Sequence, residues 1–433
     1  MGATDREIKK DLKCLKIDKK EHKIDKKHIL PEAVKVITRL NSFGYQGYVV
    51  GGAVRDLLMG REPKDFDVVT DAVPNQLRRI FKNARVIGRR FRLVHVYFSG
   101  CIVETATFRA ESNSDSQDSL TEKDNIYGEI EDDVIRRDFS LNALYYDPAS
   151  EVILDFVDGY KDIQSKIIRT LKDEKISFLE DPVRMLRAVK YSVLLDCHLS
   201  DITKKNIRKY GKEILKCSSS RLYEEFNKIF KSGMASKVFK ELHNLKLLKH
   251  LIPFFYSELS KKTGNDLLSE MMKFEKNINK TDFFEYETYW LIMIKRILDS
   301  KIINDNSENL LDSIKIILDK NLIPVNVPKK VIEDISKAYY IFIKYSTIDQ
   351  IEKIKKYKLQ NSFNIALKLF NLYCEDQEII KIISSFNFTK KISKDVVVAK
   401  KHQSNINYKN KRCVETKKTI LRMAVTENIR GIL

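Results

Sequence analysis

The sequence predicts an α+β domain with a small mixed β-sheet, followed by an all-helical region. Between residues 48 and 107, short runs of β-branched and aromatic residues alternate with segments of helical spacing. From about residue 175 to 385, apolar residues recur with helical periodicity, and Gly and Pro are rare. A chain of 433 residues also exceeds what one ordinary hydrophobic core can organise, so we expect several domains.

The elements of the first domain follow from local patterns. Residues 1–30 alternate Lys with Asp and Glu and hold few large apolar side chains, so we expect a mobile basic arm. Segment 111–128 is rich in Ser, Asp and Asn and predicts a flexible surface loop. We predict helices at 31–40, just after Gly51-Gly52 and at 74–83, and strands at 48–50, 66–69, 85–87, 92–98 and 101–107.

After this arm, the sequence predicts four regions: an α+β head at 31–170, a helical neck at 171–240, a helical body at 241–388 and a basic tail at 389–433. From Lys390 onward, twelve Lys and Arg accompany three acidic residues, a net charge of +9. This tail is interpreted either as an RNA-binding arm or as a solvated disordered end, and both readings stay open.

Composition limits the classes of partner and compartment. Lys and Arg number 79 against 60 Asp and Glu, and a formal charge of +19 favours polyanionic partners, although a Lys-rich genome gives the same surplus. The six cysteines are scattered without a CxxC pair, which argues against zinc and disulfide frameworks. No apolar run is long enough for a signal peptide or a bilayer span. We expect a soluble cytoplasmic protein with no membrane partner, and we favour a monomer.

A glycine turn is the first candidate element of a functional site. The stretch 48–70 places a strand before Gly51-Gly52 and a helix carrying Arg55 and Asp56 after them. Glycine permits close approach, and the free N–H groups of a helix start favour phosphate oxygens. Alone, this pattern is weak, because a tight turn explains most such pairs.

An acidic pair follows thirteen residues after Gly52. In Asp65-Phe66-Asp67, a strand directs both carboxylates to one face and turns Phe66 into the core. Two neighbouring negative charges repel unless a cation lies between them, and oxygen ligands suit magnesium, with manganese as an alternative. A solvated strand edge explains most isolated DxD pairs, but the spacing to the glycine turn favours the metal site. Glu104 is placed to supply a third carboxylate from a neighbouring strand; the alternative for it is a surface salt bridge.

An ordered set of motifs resembles the class II nucleotidyltransferases, the family of bacterial poly(A) polymerases and of bacterial and eukaryotic CCA-adding enzymes. The resemblance covers roughly residues 31–235. Its motifs are, in chain order, GGAVRD (51–56) with DFD (65–67), RRDFSLNAL (136–144), DFVDGYKDIQSKIIR (155–169), EDPVRMLRAVKY (180–191) and SSRLYEEFNKIFKSG (219–233).

The resemblance implies a polymerase β-like head and a two-metal transfer of nucleotides from ATP to RNA 3′ ends, in mRNA or tRNA. It makes 180–191 the helix that reads the nucleotide, and 219–233 the helix that stabilises it. Asp181 and Arg184, three apart, would share one helix face toward the base; an ordinary surface ion pair is the alternative. The implied catalytic residues are Asp65, Asp67 and Glu104, and the implied nucleotide-binding residues are Gly51, Gly52, Arg55, Arg137, Asp138, Asn142, Asp181, Arg184 and Arg187.

The choice between poly(A) and CCA addition depends on VIGRRFRLVHV (86–96), which resembles the poly(A) polymerase signature. Arg89, Arg90 and Arg92 add positive charge there for RNA, unless they merely solvate a strand end. We therefore expect a polyadenylating enzyme. The alternatives are a CCA-adding enzyme using CTP and ATP, a non-catalytic RNA-binding protein and, less favoured given the net charge, a transferase acting on small molecules.

Overall fold

A computed structural model describes residues 9, 12–88, 92–109, 127–277, 285–302, 309–322, 325–346, 351–357 and 360–385. The first part of the chain forms the predicted mixed sheet, which comprises eight strands within the described residues. In chain order they are β1 (Leu15–Ile17), β2 (Gly47–Val50), β3 (Asp67–Thr70), β4 (Ala84–Ile87), β5 (Leu93–Phe98), β6 (Cys101–Thr107), β7 (Leu144–Asp147) and β8 (Val152–Asp155).

The strands are ordered β1-β8-β7-β2-β3-β6-β5-β4 across the sheet. Strand β3 pairs in parallel with β6, whereas the other neighbouring strands are antiparallel. All five predicted strands are present. Strands β7 and β8 were not predicted; β8 alternates partly exposed and buried positions, whereas the first three residues of β7 are all buried.

Helices cover both faces of this sheet. Those of the head are α1 (Lys19–His22), α2 (Pro31–Ser42), α3 (Gly52–Leu58), α4 (Pro74–Ile80), α5 (Ile130–Ile135) and α6 (Gly159–Gln164), with 3₁₀ turns at Lys26–His28 and Ser140–Asn142. Helix α2 packs closely against β2 at Gly47. A Cβ added at Gly47 would lie 3.2 Å from Leu40 Cδ1 of this helix. Val50, Val69 and Tyr145 form a buried cluster with Val134 of α5.

The expectation of a mobile arm over 1–30 is wrong for its described part. Strand β1 pairs antiparallel with β8, with Ile17 opposite Ile153. Ile17 is 1% exposed, and Ile24 and Ile29 are also buried. A few well-spaced isoleucines between the charged residues therefore suffice to hold this segment on the head, because each buries an apolar side chain. Residues 1–8, 10 and 11 lie outside the described residues.

Helices dominate the chain after the head, as predicted. They are α7 (Glu174–Glu180), α8 (Val183–Leu194), α9 (Asp201–Tyr210), α10 (Ser219–Phe230), α11 (Ala235–Asn244), α12 (Leu248–Leu251), α13 (Pro253–Leu259), α14 (Gly264–Lys276), α15 (Glu285–Ile302), α16 (Leu310–Asn321), α17 (Lys329–Lys344) and α18 (Asn361–Tyr373), with 3₁₀ helices at Gly211–Lys216 and Glu352–Tyr357. A short parallel pair joins β9 (Ile167–Ile168), near the end of the head, to β10 (His198–Leu199) of the neck. Aromatic rings of Phe226, Phe230, Phe239 and Trp290 pack together in the helical core.

The chain divides into two units, Met1–Glu375 and Asp376–Leu433. The described residues of the second unit contain helix α19 (Gln377–Ser385), and Asp376 Oδ1 accepts hydrogen bonds from the N–H groups of Glu378 and Ile379 in its first turn. The predicted loop lies outside the described residues at 111–126, and the predicted basic tail lies outside them throughout. Among the helices that the structure describes, none combines the length and apolarity needed to cross a bilayer.

Candidate active site

Two carboxylates lie side by side on one face of the sheet. Asp67 begins β3, and the parallel register places Val68 beside Thr105 of β6. The preceding residues, Asp67 and Glu104, are therefore level with each other and point to the same face. The expected third carboxylate on a neighbouring strand is thus found at Glu104, whose side chain is 51% exposed.

Asp65 lies just ahead of the strand rather than on it. Val50, the last residue of β2, pairs with Asp67, so β2 provides no ladder partner for the residues before Asp67. Asp65 is exposed and Phe66 is half-buried. The prediction that a strand carries both aspartates, with Phe66 in the core, is therefore wrong for Asp65 and Phe66, although Asp65 stays close enough to act on Asp67 electrostatically.

The charge state of Asp67 reflects this crowding. Nearby protein atoms partly desolvate the carboxylate, although Asp67 is exposed at the surface, and the negative charges of Glu104 and Asp65 oppose its ionisation. Together these effects raise the pKa of Asp67 to about 6. A cation placed among the three carboxylates would relieve both effects, so the site favours binding of positive charge.

The donor set fits a hard divalent cation. Asp65, Asp67 and Glu104 offer carboxylate oxygens, the ligands that magnesium and manganese take in proteins. In the conformation described, no three His, Cys, Asp or Glu side chains of the described residues are already gathered around one metal position. Binding an ion would therefore draw the exposed side chains of Asp65 and Glu104 toward Asp67.

A glycine turn lies next to this pair. Gly51 follows Val50 and has φ of +72°, a conformation that strains residues with a Cβ. Helix α3 begins at Gly52, as predicted. The pairing of Val50 with both Asp67 and Tyr145 places this turn beside the carboxylates and beside the strand that follows RRDFSLN.

Arg55 is buried and held by protein groups. Its Nε and Nη2 donate to Asp56 Oδ1 at 2.9 and 2.6 Å, and its Nη1 donates to Asn142 Oδ1 at 2.7 Å. The ring centre of Tyr191 lies 5.2 Å from the guanidinium carbon. Arg55 thus joins the glycine turn to the RRDFSLN motif and to the neck.

Arg137 lies behind the glycine turn in a buried network. Its Nε and Nη2 donate to Asp133 Oδ2, its Nε also donates to the Tyr145 hydroxyl, and its Nη1 donates to the carbonyl of Asn142. Burial disfavours the charged form of Arg137. Attraction to the Asp133 carboxylate outweighs this effect and raises the pKa of Arg137. The same attraction overcomes burial at Asp133 and lowers its pKa.

Asp138 and Asn142 contact each other, although Phe139 between them is extended rather than helical. Asn142 Nδ2 donates to Asp138 Oδ1 at 3.0 Å. Arg187 Nη2 of helix α8 lies 2.6 Å from Asp138 Oδ2, so this ion pair connects the head to the neck. Burial works against the charge of Arg187, but Asp138 more than compensates and raises the pKa of the guanidinium.

Asp181 and Arg184 do not share a helix face. Asp181 has extended backbone angles at the end of α7, and α8 begins after Pro182. Proline disfavours helical geometry in the residue before it, which separates the two side chains. Arg184 is buried and donates to Ser177 Oγ and Glu180 Oε2. Asp181 instead accepts a hydrogen bond from Arg221 at 2.8 Å.

Two profiles of known protein families match the chain. Residues 198–259 match the probable RNA and SrmB-binding site of polymerase A. Residues 47–169, which carry the glycine turn and all three carboxylates, match the poly A polymerase head domain. Residues 47–169 belong to the poly A polymerase head domain family. The predicted family resemblance is thereby confirmed.

Relatives of this poly A polymerase head come from both branches of the family. Poly(A) polymerase I of Salmonella typhimurium is 39% identical over 269 residues, which are 59% of this chain and 58% of that protein. The CCA-adding enzyme of Bacillus pumilus is 34% identical over 220 residues, 51% of this chain and 54% of that enzyme. The chain thus matches little more than half the length of these relatives.

The fold extends beyond the poly A polymerase head. The crystal structure of the Bacillus stearothermophilus CCA-adding enzyme in complex with CTP aligns with a TM-score of 0.60. The alignment covers 82% of this chain and 81% of that enzyme at 21% sequence identity. This likeness shows a shared fold that includes helices well past the head.

Three residues that contact the site residues were not predicted from the sequence. His95 lies opposite Glu104 on β5, with its Nε2 3.3 Å from the carboxylate. Tyr191 packs against the cationic groups of Arg55, Arg187 and Lys190, at 4.7–5.7 Å from its ring centre. Arg221 holds Asp181. All three lie inside quoted motifs, but their partners come from distant segments that the motifs do not specify.

The basic stretch before β5 is described only in part. Arg92 is exposed next to the start of β5, and its carbonyl accepts a hydrogen bond from Arg109 Nη2 at 3.2 Å. Arg89 and Arg90 lie outside the described residues. Their predicted contact with RNA stays a prediction.

Proposed function

We propose that this chain adds AMP from ATP to RNA 3′ ends without a template and releases pyrophosphate. The observation that carries the proposal is the level placement of Asp67 and Glu104 on one sheet face, with Asp65 beside them and the Gly51 turn adjacent. The greater identity to a poly(A) polymerase I than to a CCA-adding enzyme supports adenylate addition, although only part of either relative is matched.

Asp65 and Asp67 are the residues that we propose hold two magnesium ions, or manganese in their place, with Glu104 completing the carboxylate set. When bound, such ions activate the attacking 3′-hydroxyl and neutralise the charge on the leaving pyrophosphate. The chain itself supplies three carboxylates whose mutual repulsion the positive charge would remove.

The triphosphate would lie along the Gly51-Gly52 turn. A residue without a side chain lets phosphate oxygens approach the backbone, and the φ of +72° at Gly51 keeps the turn open. Arg55 and Arg137 lie directly behind the turn with their guanidinium groups fixed by Asp56, Asn142 and Asp133. We assign them to positive charge and rigidity behind the triphosphate, because both are largely buried.

The nucleoside would be bound where head and neck meet. Asp138 and Asn142 offer an acceptor and an amide for ribose hydroxyls. Asp181, Arg184 and Arg187 remain our candidates for reading the base. Arg184 is bonded within the neck, so it would position α8, while Asp181 and Arg187 are the more accessible pair.

CCA addition is the second candidate. It is favoured by the 34% identity to a CCA-adding enzyme and by the shared fold with a CCA-adding enzyme whose structure contains CTP. The two candidates differ in nucleotide and in acceptor. CCA addition requires CTP before ATP and a tRNA acceptor, whereas polyadenylation requires ATP alone and accepts other RNA.

The deciding experiment measures incorporation of labelled ATP and labelled CTP by the full chain into two acceptors, an oligoadenylate and a tRNA lacking its terminal nucleotides. Long ATP-only products on the oligoadenylate support the proposal. CTP-then-ATP addition confined to tRNA would establish the second candidate. Asp67→Asn serves as the catalytic control, and equal RNA binding with no turnover in both proteins would indicate a non-catalytic RNA-binding protein.

A further inference from the structure

A cleft on the head lies outside the site described above. It is formed by helix α2, the end of α4 and the turn between β5 and β6, and its volume is about 310 Å³. Its apolar walls come from Ile80, Phe81 and Phe98, and its basic residues are Lys35, Arg39 and Lys82. We refer to this space as the α2 cleft.

The α2 cleft faces away from the carboxylates. Helix α2 touches the sheet at Gly47, on the side to which a Cβ of Gly47 would point. Gly47 pairs with Thr70, so both point to the same face. Asp67 is three residues from Thr70 on the same strand and therefore points to the opposite face. The cleft is thus separate from the proposed nucleotide site.

The charges around the α2 cleft are arranged as a positive rim. Lys35 and Arg39 are one helical turn apart and exposed, and Lys82 is exposed on the other side. Arg39 Nε donates to the carbonyl of Ile80, which fixes its guanidinium between the rings of Phe43 and Phe81 at 5.5 and 5.9 Å. Glu32 lies 3.7 Å from Lys35 Nζ and offsets part of this charge.

We propose that the α2 cleft binds single-stranded RNA upstream of the 3′ end. Phe98 is the partly exposed ring of the cleft, whereas Phe81 is buried beneath the Arg39 guanidinium. Cations that meet phosphates, placed beside an aromatic wall such as Phe98 that can accept an unstacked base, are what proteins use to hold single strands without sequence preference. A duplex fits less well, because its bases are not available to such walls. This inference rests on the proposed function, which brings an RNA 3′ end to the opposite face of the same sheet.

The two sites are close enough for one RNA chain to reach both. Phe98 lines the cleft and pairs with Cys101 at the start of β6. Glu104 is three residues further along that strand, a distance of roughly 10 Å. An RNA segment of a few nucleotides can therefore pass around the β5–β6 turn from the cleft to the carboxylates.

The test measures binding of a fluorescein-labelled, unstructured oligoadenylate to the full chain by anisotropy, over a range of salt, without nucleotide or divalent metal. The test variant is Lys35→Glu with Lys82→Glu. The matched control is Lys20→Glu with Lys161→Glu, which makes the same charge change at exposed positions of α1 and α6. Circular dichroism checks that each variant is folded.

We expect the test variant to bind about tenfold more weakly. The plot of log affinity against log salt should become shallower by about 1.4 in slope, as the loss of two phosphate contacts requires. The control should keep its affinity within about twofold and its slope unchanged, since distant charges are screened. Equal affinity and slope in both variants would overturn the proposal.

These outcomes separate the cleft from the proposed function. Weaker RNA binding by the test variant supports the cleft even if the wild type incorporates neither ATP nor CTP. Normal ATP incorporation together with unchanged RNA binding by the test variant refutes the cleft and leaves the proposed function standing. As a second measurement, crosslinks from an oligoadenylate carrying a photoreactive base are expected on Phe98, the partly exposed ring of the cleft.

Discussion

Glu225 of α10 is the buried partner of Lys190 on α8 and also pairs with Lys228, and the substitution Glu225→Gln removes the charge from both contacts. Lys190 Nζ lies 2.5 Å from Glu225 Oε2, and the two side chains are only 4% and 5% exposed. Glutamine keeps the shape of the side chain but removes the charge. Lys190 would then be a buried cation without its counter-charge, which is costly because little water reaches it.

The magnitude follows from the ionisation of Glu225. Burial opposes the charged form, but Lys190 and Arg187 outweigh it and lower the pKa to about 2, from 4.5 ordinarily. A difference of that size corresponds to about 3 kcal/mol of folding free energy at neutral pH. Because the folded-state pKa is the lower one, this stabilisation is complete above pH 4.5 and is lost as the pH falls toward 2. Near pH 3 about 1 kcal/mol should remain.

Urea unfolding followed by circular dichroism measures the effect. At pH 7, Glu225→Gln should lower the urea midpoint by about 1 M relative to wild type, and the difference should shrink by more than half at pH 3. Glu224→Gln, at the exposed neighbouring position, is the control and should leave the midpoint nearly unchanged. A neutral-pH midpoint equal to that of the control, or a difference that grows on acidification, would refute the reasoning.

Three other substitutions test the site itself. Asp67→Asn should reduce nucleotide incorporation by about 10²- to 10³-fold while RNA affinity in an anisotropy titration stays within twofold, and full activity would count against a catalytic carboxylate. Gly51→Ala should cost about 1–2 kcal/mol in thermal unfolding, since φ is +72° there, whereas Gly52→Ala, where φ is outside the positive range, should cost less; the reverse order would contradict the turn geometry. Arg221→Ala should release Asp181 and raise the KM for ATP several-fold, with recovery in Arg221→Lys, and an unchanged KM would remove Asp181 from the nucleotide site.

The sequence supplied most of the head. Alternation of apolar and polar residues located five strands, and the spacing of Gly52 from Asp65 and Asp67 pointed to a turn beside a carboxylate pair. The parallel pairing of β3 with β6, which brings Glu104 level with Asp67, joins strands that are more than thirty residues apart. Periodicity describes each strand singly, so it could indicate Glu104 only through the family motif.

Errors arose where a local pattern competes with a longer-range contact. The charged residues of the first thirty positions concealed Ile17, whose burial depends on β8, more than a hundred residues away. Asp181 and Arg184 have helical spacing, but Pro182 between them ends one helix and begins another. That proline was a readable signal. The bond from Arg221 to Asp181 was not, because nothing in either motif specifies their distance.

The central claim is that Asp65 and Asp67 hold the divalent ions used in nucleotidyl transfer. Electron paramagnetic resonance of Mn²⁺, titrated into the full chain with a non-hydrolysable ATP analogue, measures this directly. Two bound ions per chain are expected in wild type, and Asp65→Asn with Asp67→Asn should lose tight binding of both. Equal Mn²⁺ binding by the double variant and wild type would contradict the assignment.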